Sequence, residues 1–340
     1  MLLDKINKRK EELGDKLIIL THHYQRKQIV QVGDFTGDSF ALSAQAASDA
    51  KAEYIVFCGV HFMAESAAIL AKKHQVVQIP DTKAGCWMAD MADSVMLDNA
   101  WKQIAQIITE AKIIPIVYMN SDAYIKAHCG SKNGIICTSS NAPSAFEWAF
   151  KRGEKIFFFP DEHLGRNTGN AFGISKDKMI VWDPDKPLGG NLVEDIKNAQ
   201  LILWKGYCLV HTRFKAFEVE NMRKKYPDAQ IVVHPECTED VVALSDAVGS
   251  TSFIVNYVKK ALKGSTIIIG TEINLVERLK DEHIDKTIIP LKRSLCPNMF
   301  KISPENLLYT LENIGKTNVI EVEDNIKKNA KLALDRMLTL

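Results

Sequence analysis

Three cysteines stand in loops of similar make-up: Gly85-Cys86-Trp87-Met88, Gly206-Tyr207-Cys208-Leu209-Val210-His211 and Ser294-Leu295-Cys296-Pro297-Asn298-Met299. Three thiolates suit a zinc ion with a water, or an iron–sulfur cubane with one iron left open. An open metal can polarise a hydroxyl or a carboxylate. No CxxC pair is present, so a zinc ribbon or a ferredoxin-type site has no local support. The other four cysteines are placed differently. Cys58 and Cys137 close apolar runs, Cys129 ends a helical pattern and Cys237 follows Pro235-Glu236. They are read as ordinary thiols, since an isolated cysteine is most often a small buried hydrophobe.

Polar pairs stand at comparable places. His22 with Tyr24, Tyr118 with Asn120, and His234 with Glu236 each sit two residues apart at the end of an apolar run, a spacing that puts both side chains on one face of a strand. A single His or Tyr is most often a satisfied structural group. Three pairs at matching places favour proton transfer, because His titrates near neutrality and burial raises a carboxyl toward that range. Gly37-Asp38-Ser39, Thr138-Ser139-Ser140 and Gly249-Ser250-Thr251 each lead into a helical pattern. Ser and Thr there cap helices, and the same N-termini can hold a carboxylate or phosphate. No Walker loop or GxGxxG occurs, so nucleotide binding has no motif behind it.

The elements that must position these groups are legible. Short apolar runs alternate with Ala-rich helical patterns, which predicts parallel α/β units. Strands are expected at residues 17–20, 54–57 and 76–79, with helices at 39–50 and 62–73 and Cys86 following. The last third repeats the plan: strands at 230–233, 266–269 and 287–289, helices at 251–262 and 274–280, then Cys296. The middle third has one extra unit, with strands at 114–117, 135–137, 155–159, 178–181 and 201–203, then Cys208. Strand by strand, Gly59-Val60-His61-Phe62, Thr138-Ser139-Ser140-Asn141 and Gly270-Thr271-Glu272 are aligned as the ends of the second strands. Ligands of such sheets gather at the carboxyl ends of strands, so three domains facing a common centre are expected, at residues 1–105, 106–225 and 226–340, the last with a closing helix.

Composition bounds the function. In 340 residues, Lys plus Arg number 43 against Asp plus Glu 42, so the basic excess of a nucleic-acid binder is missing. The N-terminal stretch is charged and has no apolar h-region, and no run is long enough to span a bilayer, so neither a secretory signal nor a membrane partner is expected. A cytoplasmic, reducing compartment suits seven cysteines used as buried thiols or metal ligands.

Taken in order, twelve segments between about residue 20 and residue 300 resemble the quinolinate synthases, the A proteins of de novo NAD biosynthesis. They are His22-His23-Tyr24-Gln25, Gly37-Asp38-Ser39, Cys58 to Glu65, Gly85 to Ala89, Tyr118-Met119-Asn120, Cys137 to Ala142, Pro160 to Asn167, Tyr207 to His211, His234 to Cys237, Gly249-Ser250-Thr251, Gly270-Thr271-Glu272 and Cys296 to Met299. The resemblance implies three α/β/α sandwich domains with parallel sheets, related by a pseudo-threefold axis around a central active site. It implies condensation of iminoaspartate (iminosuccinate) with dihydroxyacetone phosphate to quinolinate, phosphate and water. It further implies one [4Fe–4S] cluster held by Cys86, Cys208 and Cys296 with one open iron. His22, Tyr24, Ser39, Tyr118, Asn120, Ser139, His211, His234, Glu236 and Thr251 would line the site, with Glu236 and Tyr24 shuttling protons. His211 would bond a substrate carboxylate or a water rather than iron. His23 stands where the family more often has Asn, and its side chain is expected to point away from the site. An L-aspartate-oxidising enzyme is the implied supplier of the unstable imine. Another Fe–S dehydratase or lyase acting on a small carboxylic acid is the alternative.

Overall fold

A computed structural model describes residues 2–340. Thirteen strands form three wholly parallel sheets. The first holds β1 (Leu17–His22), β2 (Phe35–Gly37), β3 (Tyr54–Cys58) and β4 (Val76–Gln78). The second holds β5 (Ile113–Tyr118), β6 (Ile135–Cys137), β7 (Lys155–Phe159), β8 (Met179–Trp182) and β9 (Leu201–Trp204). The third holds β10 (Gln230–Val233), β11 (Ala247–Val248), β12 (Thr266–Gly270) and β13 (Thr287–Pro290). Helices on both faces of a parallel sheet leave its strands no solvent side, so inner strands are apolar throughout rather than alternating. All six residues of β1 and of β5 are buried, as are all four of β9.

Spatial order repeats. The four-stranded sheets run β2-β1-β3-β4 and β11-β10-β12-β13. The five-stranded sheet runs β6-β5-β7-β9-β8. Its extra strand, β8, is added outside β9, so β9 stands beside the third strand as β4 and β13 do. The cysteine loops follow these equivalent strands: β4 leads to Cys86, β9 to Cys208 and β13 to Cys296.

Pairing corrects one alignment made from sequence. β6 lies on the far side of β5 from β7, so Thr138-Ser139-Ser140 is not equivalent to Gly59-Val60 or Gly270-Thr271. It matches Asp38-Ser39 after β2 and Ser250-Thr251 after β11. Gly59 and Gly270 match Pro160-Asp161 after β7. The cause is that β2 and β11, three and two residues long, lack the apolar run that marks the other strands.

By contacts the described chain divides into two compact units. One comprises residues 1–86, 213–234 and 244–322 and holds the two four-stranded sheets. The other comprises residues 87–212, 235–243 and 323–340 and holds the five-stranded sheet. In the second, the helix Asp324–Leu338 lies along Ala123–Ser131 so closely that a Cβ at Gly130 would overlap the Asn329 carbonyl. The Arg336 guanidinium donates to the Gly134 carbonyl at 2.6 Å across the same contact.

No helix among the described residues is long and apolar enough to cross a membrane.

Candidate functional site

In this strand order the chain switches sides after its second strand, which opens a crevice at the carboxyl ends of the first and third strands. In the five-stranded unit those ends carry Tyr118 and Pro160-Asp161. Tyr118 donates its phenol proton to Glu236 Oε1, and the other carboxylate oxygen lies 2.7 Å from His211 Nδ1. The three side chains are 4%, 3% and 1% exposed. The Cys208 carbonyl accepts from the His211 and Thr212 amides at 3.2 and 3.0 Å, one helix-like turn that sets residues three apart on one side. The Cys208 thiol, a His211 ring nitrogen and a Glu236 oxygen consequently lie within 4.8 Å of one another. Thiolate, imidazole and carboxylate form a donor set that a transition metal accepts.

Two residues that sequence reading passed over build this cluster. Asn167, inside the helix Glu162–Ala171, donates through Nδ2 to the carbonyls of Pro235 and Cys237 at 2.8 Å each, gripping the backbone on both sides of Glu236. Asp161 caps the same helix by accepting from Leu164 N at 2.7 Å, while its Oδ2 is buried with no hydrogen-bond partner. Burial first, and then the charge of Glu236, holds the Asp161 carboxyl well above the usual carboxylate range. Asp161 is therefore biased toward its protonated form beside Glu236. A polar residue in mid-helix, and the carboxyl after the third strand, were the available signals for Asn167 and Asp161.

Asn120, two residues beyond the strand, is half-buried, and its Oδ1 is a buried acceptor that no donor reaches. Ser139 is half-buried and Ser140 exposed; the Thr138 hydroxyl accepts from Ser140 N at 3.2 Å.

In the unit with two sheets, β1 ends in His22. The Tyr24 amide donates to His22 Nδ1 at 3.1 Å, which leaves that nitrogen unprotonated, and the two rings meet edge-on at 4.8 Å. The Tyr24 hydroxyl bonds the Thr271 hydroxyl at 2.7 Å. Thr271 follows β12, in the Gly270-Thr271-Glu272 segment that sequence reading aligned at a strand end without giving Thr271 a role. His23 accepts at Nδ1 from the Arg278 guanidinium, 3.1 Å away, and burial followed by the nearby arginine charge lowers its pKa to about 4. Ser39 and Thr251 each open a helix, at Ser39–Ser48 and Thr251–Lys260, whose caps are Asp38 and Ser250. His234 follows β10, buried, its amide donating to Gly270 O at 3.1 Å. Glu272 accepts from the Cys296 amide at 3.3 Å, tying down that loop, and burial pushes its carboxyl up to about 8.

The cysteines differ in burial. Cys86, Cys208 and Cys296 are half-buried, whereas Cys58, Cys129, Cys137 and Cys237 are buried. Burial pushes the Cys58 thiol up to about 12 and raises Cys129 and Cys137 as well, so these three stay protonated and make poor ligands. By donor chemistry, a half-buried loop thiol is a better ligand for a metal or an iron–sulfur group than the buried ones are.

The family described as "Quinolinate synthetase A protein" matches residues 4–183 and 170–339. A protein named quinolinate synthase from Corynebacterium glutamicum is 47% identical over 99% of this chain and 86% of its own. One of the same name from Acidobacterium capsulatum is 47% identical over 99% and 92%. Another from Streptomyces coelicolor is 46% identical over 97% and 86%. Matches of this extent settle the relationship: the chain belongs to the quinolinate synthetase A protein family.

Proposed function

We propose that the protein condenses iminoaspartate with dihydroxyacetone phosphate to give quinolinate, phosphate and water. The observation that carries this reading is the buried Tyr118–Glu236–His211 chain with Cys208 at its end. Joining the two substrates requires a new carbon–carbon bond, departure of phosphate, a ketose–aldose shift, ring closure by the amine and loss of water. Each step moves protons between neighbouring atoms, which suits fixed acid–base groups in a dry pocket.

Glu236 is the proton carrier in this reading. Both of its oxygens are already bonded, so it can take and return a proton without reorienting. Tyr118 supplies a proton to one oxygen and His211 fixes the other. Asn167 keeps the segment in place, and burial biases the neighbouring Asp161 toward its protonated form. The Asn120 Oδ1 is free to accept from the substrate's amine or hydroxyl. On the other strand ends, Tyr24, held by Thr271, passes a proton, and His22, with Nδ1 occupied, presents Nε2–H. Ser39, Ser139 and Thr251, with their helix N-termini, bind carboxylate or phosphate, and His234 binds substrate. Cys86, Cys208 and Cys296 would hold one [4Fe–4S] cluster. When bound, it supplies a Lewis acid at an iron without a cysteine, suited to the departure of a hydroxyl as water. Such chemistry belongs in a reducing cytoplasm, beside an L-aspartate-oxidising supplier of the imine.

A second reading rests on the Cys208–His211–Glu236 group, whose donors would also take zinc. Anaerobic reconstitution separates the two. The expected outcome is iron and sulfide in the proportion of one [4Fe–4S] cluster per chain, with quinolinate and phosphate formed in equal amounts. The Ser variants of Cys86, Cys208 and Cys296 lose the iron, and those of Cys58 and Cys237 keep it. Zinc in place of iron, or loss of iron in Cys237→Ser, defeats the assignment.

A further inference from the structure

At the amino ends of the central strands, the five-stranded unit contains a cleft of about 650 Å³ lined by eleven residues. Its floor includes Ile113 and Ile114, 2% and 6% exposed, which begin β5. Trp101 and Trp148 line it with two aromatic surfaces. Lys132 lies 5.4 Å over the Trp101 ring, and the Arg152 guanidinium 4.1 Å over that of Trp148. Arg336 is a third cation of the lining.

The charges are not balanced within the cleft. Glu110 is its one acid and is taken by Lys132 at 2.8 Å. Arg152 and Arg336 bond only main-chain carbonyls, of Trp148 at 3.0 Å and Gly134 at 2.6 Å, and no carboxylate among the described residues pairs with either. Trp101 is 5% exposed, and its indole N–H faces the Glu110 carboxylate. Two uncompensated guanidinium groups, an aromatic lining and an apolar floor make a site of defined chemistry. Guanidinium binds carboxylate and phosphate through paired donors, and indoles favour flat rings.

We propose that this cleft binds a small planar anion: an aromatic ring carrying a carboxylate or a phosphate. The ring lies beside Trp148 over the apolar floor of Ile113 and Ile114, and the anion reaches Arg152 and Arg336. The site is separate from Glu236. β5 runs from the cleft floor at Ile113 to Tyr118, a span of about 17 Å at the usual rise per residue. The inference does not depend on the proposed reaction.

Two probes distinguish the anion. Adenosine 5′-monophosphate presents a phosphate and benzoate a carboxylate; each is titrated calorimetrically against the whole protein, with tryptophan fluorescence followed in parallel. Saturable binding of at least one probe is expected. Arg336→Met and Arg152→Met should each weaken it about tenfold or more, as a lost charged hydrogen bond does. Trp148→Leu should weaken it and remove part of the fluorescence response. Arg152 is exposed, so its variant tests binding without threatening the fold. Failure of both probes to bind at millimolar concentration, or binding indifferent to all three substitutions, overturns the proposal. So does a self-association that these substitutions abolish, because the cleft would then be filled by a second copy of the chain.

Discussion

Two tyrosines at the carboxyl ends of first strands meet different partners. Tyr118, after β5, bonds a carboxylate that a histidine holds from its other side. Tyr24, just after β1, bonds a neutral hydroxyl. The strand order around them is the same, so the difference comes from side chains delivered by distant segments: Glu236 in one case, Thr271 in the other. A phenol bonded to a buried charge belongs to a unit that can store a proton. A phenol bonded to a hydroxyl can be oriented and can relay. One scaffold position thus serves storage in one place and orientation in another.

The sharpest attempt to break that contrast is Glu236→Gln. The amide keeps the shape and can still accept from Tyr118, but it holds no exchangeable charge. Turnover should fall about 10²- to 10⁴-fold with the fold and any bound iron retained. Near-normal quinolinate formation would show that the buried carboxylate stores no proton the reaction needs.

A smaller effect separates the tyrosines themselves. Tyr118→Phe strips a donor from a buried carboxylate, whereas Tyr24→Phe removes a bond between neutral groups. Bonds to charged groups contribute roughly twice what neutral ones do, so the losses in kcat/KM should be about a hundredfold and about tenfold. Equal losses would mean that the two phenols do the same job.

The smallest effect concerns stability near β1. His23 is neutral when folded because it is buried, with the charge of Arg278, which donates to its Nδ1, adding to the effect. Its pKa of about 4 lies below the ordinary 6.5, so between those values the unfolded chain binds a proton that the folded chain refuses. Stability from this group is present above pH 6.5 and is lost as pH falls toward 4, by an amount on the order of 3 kcal/mol. Denaturant midpoints compared at pH 7 and pH 5 should converge in His23→Asn, whose amide oxygen can accept from Arg278 without titrating. An acid sensitivity unchanged by that substitution would place its origin elsewhere.

Much of this was readable from the chain. Inner strands declare themselves because burial on both faces demands runs such as Leu17 to Leu20 or Phe157 to Phe159. β2 and β11 do not, because an edge strand of two or three residues needs no such run, and missing them misaligned Thr138-Ser139-Ser140. Tyr118, His211 and Glu236 stood out in the sequence by residue type, and the structure brings their side chains together. Their partnership was not readable, since it closes across 118 residues of sequence. Asp161 and Asn167 were hidden for another reason: a capping carboxyl and a helical amide look structural until the group beside them is known.

The interleaving of the two units fixes when each can be completed during synthesis. The unit with two sheets needs residues as late as 322, and the other needs the helix Asp324–Leu338. Until that helix emerges from the ribosome, the face of Ala123–Ser131 around Gly130 is bare backbone and small side chains, and the Gly134 carbonyl lacks Arg336. Domains made of one continuous segment can fold as they appear. Here the unit with two sheets lacks residues until 322 has been added, and the other until its last helix is made, so neither can close while most of the chain is being translated.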